Sequence, residues 1–370
     1  MSVVISGTGL FTPKEYITNE ELVESFNGYV DLFNQENKEE IDAGDLDPLT
    51  PSSAEFIKKA SGIEKRHVMD KEGILDITRM KPKLNGRDNT DLSLQAEMAV
   101  EACKEALKVA GIEASQIDGV ICGCANLQRA YPAVAIEIQN ELQISGYAYD
   151  MNVACSAATF AIQNAYNDIR SGAAERVLVV NPEICSGHLN FKDRDAHFIF
   201  GDACTAVVLE REANPNNSFR ILGTKLQTKF SNNIRNNFGF LNSPEDSDPN
   251  SPDKLFIQRG RSVFREVVPM VQAHISEHLK SLDLDISAVK RLWLHQANLG
   301  MNQLIAKKLL GRDPEESEMP IILNEYANTS SAGSIIAFHK SKGDFVSEEI
   351  GVISSFGAGY SVGSIVIQKI

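Results

Sequence analysis

Residues 107–126 of this 370-residue chain, LKVAGIEASQIDGVICGCAN, align without gaps with LKSLDLDISAVKRLWLHQAN, residues 279–298. Five of the twenty positions are identical, and others, such as Glu113 with Asp285 and Ile117 with Val289, are conservative. Five identities alone are within chance. Two further pairs keep the same order, however: CSAATFAI (155–162) with TSSAGSII (329–336), and FGDACTAVV (200–208) with FGAGYSVGSIV (356–366). Three segments repeated in one order indicate a duplication. The chain is then expected to form two similar halves, about 1–210 and 211–370, with an active site where they meet.

Each half alternates strand-like and helix-like segments, the pattern of an α/β protein. VVISGTGLF (3–11), IDGVICGCA (117–125), GYAYDMNVA (146–154), ERVLVVNP (175–182) and ACTAVVLER (203–211) have strand character. LSLQAEMAVEACKEALKVAG (92–111) has helical apolar spacing and a glycine stop. Two stretches fall outside the repeat and are expected to be irregular. One is the polar segment from about 27 to 89, with an acidic run at Glu39–Asp47. The other is 231–254, dense in Asn, Ser, Pro and Asp, which is expected to be a long surface loop.

A hydrophobic fraction of 43% supplies a core without staples, and no apolar run reaches the length of a membrane span. The N-terminal MSVVISGTGLFT lacks the basic start of a secretion signal, so a cytoplasmic location is expected. Asn216 and Asn328, the two N-x-S/T matches, are then not glycosylation sites. A net charge of −14 argues against a nucleic-acid partner. Six cysteines without paired C-x-x-C motifs point to reduced thiols, with Cys122 and Cys124 as core residues on one face of a strand.

Cys155 lies in DMNVACSAATFAIQNA (150–165), between a strand-like run and a run of small residues with helical character. A thiol at a helix start meets free N–H groups and a partial positive charge, which lowers its pKa. Ala154, Ala157 and Ala158 leave room beside it. Free cysteine is also among the most buried residue types, so an inert core thiol is the competing account. His295 ends the strand-like VKRLWL, where ligands commonly bind in α/β proteins, though it could equally be a satisfied core histidine. Asn328 precedes TSSAGSIIAFHK and could be a helix cap. As a set, the three offer a nucleophile and two polar partners. HISEH (274–278) fits a zinc-protease pattern, but no further ligand accompanies it, and a solvated helix flank is the better account. GTG (7–9) lacks the rest of a dinucleotide fingerprint.

At these residues the chain resembles the β-ketoacyl-acyl-carrier-protein synthase III family of the thiolase superfamily. The resemblance covers nearly the whole length. It rests on ACSAATFA around Cys155, FIFGDACTAVVL (198–209), LHQANLGMNQLIAKKL (294–309), NEYANTSSAGS (324–334) and SSFGAGYSVGS (354–364). It implies a five-layered αβαβα fold of two duplicated halves. It also implies a decarboxylative Claisen condensation that initiates fatty acid biosynthesis. In that scheme Cys155 takes the acyl group from acyl-CoA. His295 and Asn328 then hold the thioester oxygen of malonyl-acyl carrier protein while CO₂ leaves. The backbone N–H groups of Cys155 and Ala358 would form the oxyanion hole. Arg194 resembles the arginine near the CoA adenine, and Tyr131 the aromatic inserted by a dimer partner. Phe356, Gly357 and Gly359 belong to the matching FGAG segment at the substrate. Arg265, Lys307 and Lys308 resemble carrier-protein docking positions. A homodimer is implied, and no metal or other cofactor is required.

The sequence departs from the family pattern at several positions. Gly300 stands where an arginine commonly follows HQANL. The early tryptophan that stacks on adenine is absent, the only tryptophan being Trp293. Ala358 replaces the middle glycine of FGGG, and Val362 a later tryptophan. A related condensing enzyme that joins two acyl thioesters into a ketone, quinolone or resorcinol is the alternative. A non-enzymatic acyl-binding scaffold is a third reading, disfavoured by the co-occurrence of Cys155, His295 and Asn328.

Overall fold

The computed structural model describes residues 2–84, 86–88, 90–211, 218–242 and 251–370; Asn216 and residues 243–250 of the expected surface loop lie outside these. The chain begins with β1 (Val3–Phe11), followed by a small pair, β2 (Glu15–Thr18) and β3 (Lys65–Val68). Between and after that pair come α1 (Asn19–Glu36), α2 (Lys38–Ala43), α3 (Ala54–Ser61) and α4 (Glu72–Leu75). The rest of the first half is α5 (Leu94–Ala110), β4 (Gly119–Gly123), α6 (Val134–Glu141), β5 (Tyr147–Met151), α7 (Ala157–Ser171), β6 (Arg176–Ile184) and β7 (Asp202–Arg211). The second half contains β8 (Phe219–Ser231), β9 (Ile234–Arg235), β10 (Ile257–Gln258), α8 (Gly260–Ser281), β11 (Val289–Leu294), α9 (Leu299–Leu310), α10 (Leu323–Tyr326), α11 (Ala332–Ser341), β12 (Ile350–Gly357) and β13 (Gly359–Lys369).

Among the described residues, nine strands form one sheet in the order β11-β12-β13-β8-β1-β7-β6-β4-β5. Its two parts join through a short antiparallel contact, Val4 with Arg220 and Ile5 with Phe219. Outward from that junction the pattern is the same on both sides. β1–β7 and β7–β6 are antiparallel and β6–β4 parallel; likewise β8–β13 and β13–β12 are antiparallel and β12–β11 parallel. The thiolase-like duplication is therefore visible in strand order as well as in sequence.

Alternation along the strands assigns side chains to layers, because successive residues of a strand face opposite ways. Val177, Val179, Val207 and Leu209 point to a central core with Ala161, Ile162 and Ala165 of α7 and Ile335 and Phe338 of α11. Leu178, Val180, Ala206 and Val208 point outward to α5 and α6. In the second half Trp293, Ile353 and Ile365 face the same central helices, while Leu292, Val352 and Val366 face α8 and α9. The result is helix, sheet, paired helices, sheet, helix. α5 lies close on β1 because Gly7 and Gly9 present no side chain; a Cβ at either would fall within 2.1 Å of the Ala106 or Ala102 carbonyl oxygen.

Three expectations are corrected. The 27–89 segment is not irregular overall, since α1 already covers its first part. Thr18 and Glu21 form a capping box, and Leu22, Phe26 and Val30 recur every fourth residue to bury one face of α1. The 231–254 stretch, as far as described, carries β9 and two short 3₁₀ turns (Phe240–Asn242 and Pro252–Lys254). His274 and His278 are not on a solvated flank: they are 1% and 2% exposed. They stand where α8 crosses β8 and β13, with His274 Nε2 donating to the Lys225 carbonyl at 3.1 Å and His278 Nδ1 at 2.6 Å from Ser364 Oγ. A helix packed on a sheet buries its shoulders as well as its apolar stripe. Among the described residues no group of three or more His, Cys, Asp or Glu side chains could hold a metal, and no helix is long and apolar enough to cross a membrane. All six cysteines are free thiols.

Candidate active site

Cys155 sits in a tight turn between β5 and α7. Asn152 makes that turn: its Oδ1 accepts the Ala154 N–H at 2.9 Å and its Nδ2 donates to the Ala125 carbonyl at 2.8 Å. Ala154 is forced to φ 47°, a left-handed conformation that costs an alanine about 1 kcal/mol or more. A 3₁₀ turn, Ala154–Ser156, then leads into α7, so Cys155 precedes the helix by one turn. The sulfur faces a cavity of about 640 Å³ lined from both halves. Ala125, Asn126, His188 and Phe200 come from the first half; Phe230, Ile234, Phe238, Phe256, Ser330 and Ala358 from the second.

The strand-to-strand turn of β12 and β13 closes on Cys155 from the other half. A Cβ on Gly357 would lie 2.7 Å from the Cys155 Cβ, so only a glycine lets the two backbones approach. The N–H of Ala358 and that of Cys155 itself are directed at the sulfur. Phe356 lies beneath, its ring edge-on to His295 with 5.1 Å between centroids. It supports the imidazole and does not line the cavity, whereas Gly359 does.

His295 follows β11 and is tied to β12 by its N–H, which donates to the Ser354 carbonyl at 2.8 Å. Asn328 is fixed by its backbone against the 199–201 segment: its N–H donates to the Ile199 carbonyl at 3.0 Å, and its carbonyl accepts from Gly201 at 3.1 Å. Its Oδ1 accepts the Ser330 N–H at 2.9 Å. It is therefore not a helix cap; α11 begins only at Ala332. Ser330 links the group, with its main chain beside His295, its hydroxyl beside Cys155 and its N–H on Asn328. Cys155, His295, Asn328 and Ala358 are thus brought together around it.

The charge states differ from the helix-start argument. Burial pushes the Cys155 thiol up to about 11, although the Ser330 hydroxyl and the N–H groups of Cys155 and Ala358 pull it down; negative charge on Glu183 adds to the rise. Loss of water outweighs the local donors because a buried anion loses more solvation than a few N–H groups return. Burial also holds His295 near 3, against a weaker pull from Ser330, so its ring is neutral. His188 in the same cavity is held near 4 by burial, with Asn126 Nδ2 donating to its Nδ1 at 2.9 Å.

The remaining predicted positions lie apart from this cluster. Arg194 packs over the Phe56 ring at 4.5 Å and donates to the Pro51 carbonyl at 2.9 Å, outside the cavity lining. Tyr131 is 84% exposed. Arg265, Lys307 and Lys308 are exposed, Lys307 pairing with Asp313 at 2.9 Å. Sequence reasoning overlooked Ser330, although it stands inside the NTSSAGS motif, and Glu183, a lone carboxylate at the end of the apolar run LVVNPEI. It also overlooked the aromatic cavity wall, which no spacing announces.

The sequence matches the family described as 3-oxoacyl-[acyl-carrier-protein (ACP)] synthase III over residues 149–229, and its C-terminal domain over 279–369. A beta-ketodecanoyl-[acyl-carrier-protein] synthase of Pseudomonas aeruginosa is 58% identical over 349 residues, 94% of this chain and all of the relative. The chain belongs to the 3-oxoacyl-[acyl-carrier-protein] synthase III family. A beta-ketoacyl-[acyl-carrier-protein] synthase III of Aquifex aeolicus is 26% identical over the whole of both chains. The crystal structure of a 3-oxoacyl-[acyl-carrier-protein] synthase III from Aquifex aeolicus superposes with a TM-score of 0.78 at 25% identity, over 99% of each chain. As a synthase III the chain is an acyl-transferring condensing enzyme of fatty acid biosynthesis.

Proposed function

We propose that this synthase III condenses a medium-chain acyl-CoA with malonyl-acyl carrier protein through an acyl group held on Cys155. A relative so similar that makes a ten-carbon β-ketoacyl product points to the primer. Malonyl condensation with loss of CO₂ adds two carbons, so the primer has about eight. An open cleft of about 640 Å³ lined by Phe200 and Phe256, with Phe230 and Phe238 exposed at its rim, is within the usual size range for small ligands and offers apolar surface to such a chain.

In the first half-reaction the Cys155 sulfur attacks the thioester carbonyl. The oxyanion falls between the N–H groups of Cys155 and Ala358, fixed dipoles of the kind worth about 3 kcal/mol of barrier each. CoA leaves and the acyl group remains on sulfur. In the second, the neutral His295 ring donates one hydrogen bond to the malonyl thioester oxygen, and the Asn328 amide nitrogen, which bonds to no other described residue, donates another. Decarboxylation leaves an enolate stabilised by both. Its carbon attacks the acyl-Cys155 carbonyl and gives the 3-ketoacyl carrier protein. A neutral donor suits this step, since loss of CO₂ requires no proton abstraction. The scheme uses no metal or other cofactor. Arg194 takes the CoA end, and Arg265, Lys307 and Lys308 form a basic surface for the acidic carrier. Tyr131 is exposed for insertion into a second copy in a homodimer. The two halves divide near residue 210, where β7 ends, and six free cysteines suit a cytoplasmic setting.

The observation that carries the proposal is that Ser330, which lines the cavity with Cys155 and Ala358, also has its N–H on Asn328 and its main chain beside His295. It is tested by intact-protein mass spectrometry with acyl-CoAs of graded length. We expect one adduct, fastest near eight carbons and absent in Cys155→Ala, with Asn328→Ala acylating normally but losing condensation. An adduct that persists without Cys155 refutes it.

A further inference from the structure

The cleft beside Cys155 carries a polar pair for which the scheme above has no use. Asn126 and His188 both line it, next to Phe200 and Phe256. The His188 ring lies 5.2 Å from the Phe200 ring and 6.4 Å from that of Phe256, centroid to centroid. Its main chain is fixed as well, because the His188 carbonyl accepts the Phe256 N–H at 3.0 Å. Asn126 is held through its own carbonyl, which accepts from Gln95 Nε2 at 2.6 Å. Its neighbour Ala125 donates its N–H to Glu183 at 3.1 Å and accepts at 2.8 Å from Asn152, the residue that makes the Cys155 turn. Both loops are thus anchored through their main chains, which leaves the side-chain pair free for another task.

The pair presents one donor and one acceptor to the cleft. Asn126 Nδ2 donates to His188 Nδ1 at 2.9 Å, so the neutral ring carries its proton on Nε2. Nε2 stands 3.3 Å from the same Nδ2, but two donors cannot satisfy each other, and no other described residue bonds to Nε2. Asn126 Oδ1 likewise has no partner among the described residues. It shares an amide carbon with Nδ2, so the free acceptor and the free donor lie near each other. A carbonyl or ether oxygen could use only the donor, and a carboxylate would meet Oδ1 as a second acceptor. A hydroxyl uses both, accepting from Nε2–H and donating to Oδ1. Turning the Asn126 amide over and moving the ring proton to Nδ1 only exchanges donor and acceptor, and a hydroxyl still pairs with both. A saturated chain laid over the pair strips water from both groups and returns nothing, which is unfavourable.

We propose that Asn126 and His188 form a hydroxyl subsite in the primer cleft, and that the primers this enzyme takes up best are medium-chain hydroxyacyl-CoA thioesters. This rests on the assignment of Cys155 as the acylated residue and of acyl-CoA as its donor. Asn126 is one residue from Ala125, which is bonded to the Cys155 turn, whereas Phe230 and Phe238 stand exposed at the rim. The subsite therefore belongs to the thioester end of the chain. Near a thioester, C3 is the carbon that receives oxygen when an α,β-double bond is hydrated or a β-ketone is reduced. The 3-hydroxyacyl thioester is thus the member of the class that the subsite fits, and such a reaction must supply it. The hydroxyl takes no part in bond making. The Cys155 sulfur attacks the thioester carbonyl, the thiol proton ends on the departing CoA sulfur, and condensation then gives a 5-hydroxy-3-oxoacyl carrier protein.

The test is a competition. Wild type, His188→Leu and Asn126→Leu are each mixed with equal amounts of octanoyl-CoA and one stereoisomer of 3-hydroxyoctanoyl-CoA. The two adducts differ by one oxygen and are counted by intact mass at partial labelling, with Cys155→Ala as the blank. The reading is a ratio of two products in one sample, so a smaller folded fraction in a variant cancels. Wild type should favour one hydroxy stereoisomer over octanoyl-CoA. In both variants that ratio should fall about 10- to 100-fold, the scale of losing two hydrogen bonds in a desolvated site. A wild type that favours neither stereoisomer over octanoyl-CoA overturns the inference. So does a ratio that is the same in wild type and variants, which would leave the pair a structural role. Should one variant fail to fold, the other decides, and the wild-type competition stands by itself. If no thioester labels Cys155 in wild type, the function proposed above fails; octanoyl labelling without a hydroxyl preference removes the subsite alone.

Discussion

Replacing Gly357 by alanine tests how tightly the two halves are set against each other at the reacting sulfur. The added Cβ would lie 2.7 Å from the Cys155 Cβ, 3.1 Å from its nitrogen and 3.3 Å from its Cα. Ordinary carbon contacts start near about 3.5 Å, so about 0.8 Å of separation has to be found. Neither side yields cheaply. Gly357 is paired with Ser361 across the β12–β13 turn, and Cys155 is held by Asn152 through Ala154 and by the Ser156 N–H on the Val153 carbonyl at 3.1 Å. Overpacking of this kind costs about 1–3 kcal/mol of stability. The larger effect falls on chemistry, because the sulfur shifts relative to the Ala358 N–H, and a displacement near 1 Å costs about 100-fold in rate. Gly357→Ala should therefore acylate about 10- to 100-fold more slowly than wild type while its thiol still reacts with iodoacetamide. The assay is single-turnover mass spectrometry with octanoyl-CoA, alongside urea unfolding. Wild-type acylation in a folded variant would refute the close approach and the oxyanion geometry built on it.

Two other predictions concern acid stability and docking. His274 and His278 are each depressed from 6.5 to about 4 by burial, so the unfolded chain binds more protons between those values. Their stabilisation is complete above about pH 6.5 and is lost as pH falls towards 4; each accounts for about 2 kcal/mol between pH 7 and pH 5. Urea titrations at those two pH values should show a shallower decline in His278→Gln, and an unchanged decline counts against the assignment. Arg265→Glu combined with Lys307→Glu and Lys308→Glu should raise the KM for malonyl-acyl carrier protein several-fold at low salt, since exposed ion pairs are worth at most about 1 kcal/mol each. Acylation by acyl-CoA should be unchanged; equal KM values for the carrier in wild type and variant would remove these residues from the docking surface.

Much of this molecule was legible before any coordinate. The repeat of 107–126 at 279–298 implied two similar halves, and strand periodicity implied their layers, because alternation along a strand and spacing along a helix are local properties of the chain. HQAN, NTSSA and FGAG marked the residues that gather at Cys155. Other features were hidden for equally physical reasons. α1 was missed because Leu22, Phe26 and Val30 are separated by polar residues that dominate the composition of the segment. His274 and His278 were placed in solvent because only the packing of α8 on β8 and β13 shows what covers them.

The sequence by itself determined the architecture and which side chains were available to react. It could not decide their charge. A helix-start cysteine suggested an acidic thiol, whereas the folded chain surrounds that sulfur with protein and raises it to about 11. Ionisation depends on how much water is removed and which dipoles replace it. Both are set by residues far apart in sequence, here Glu183, Ser330 and Ala358 around Cys155, and tertiary packing alone brings them within reach.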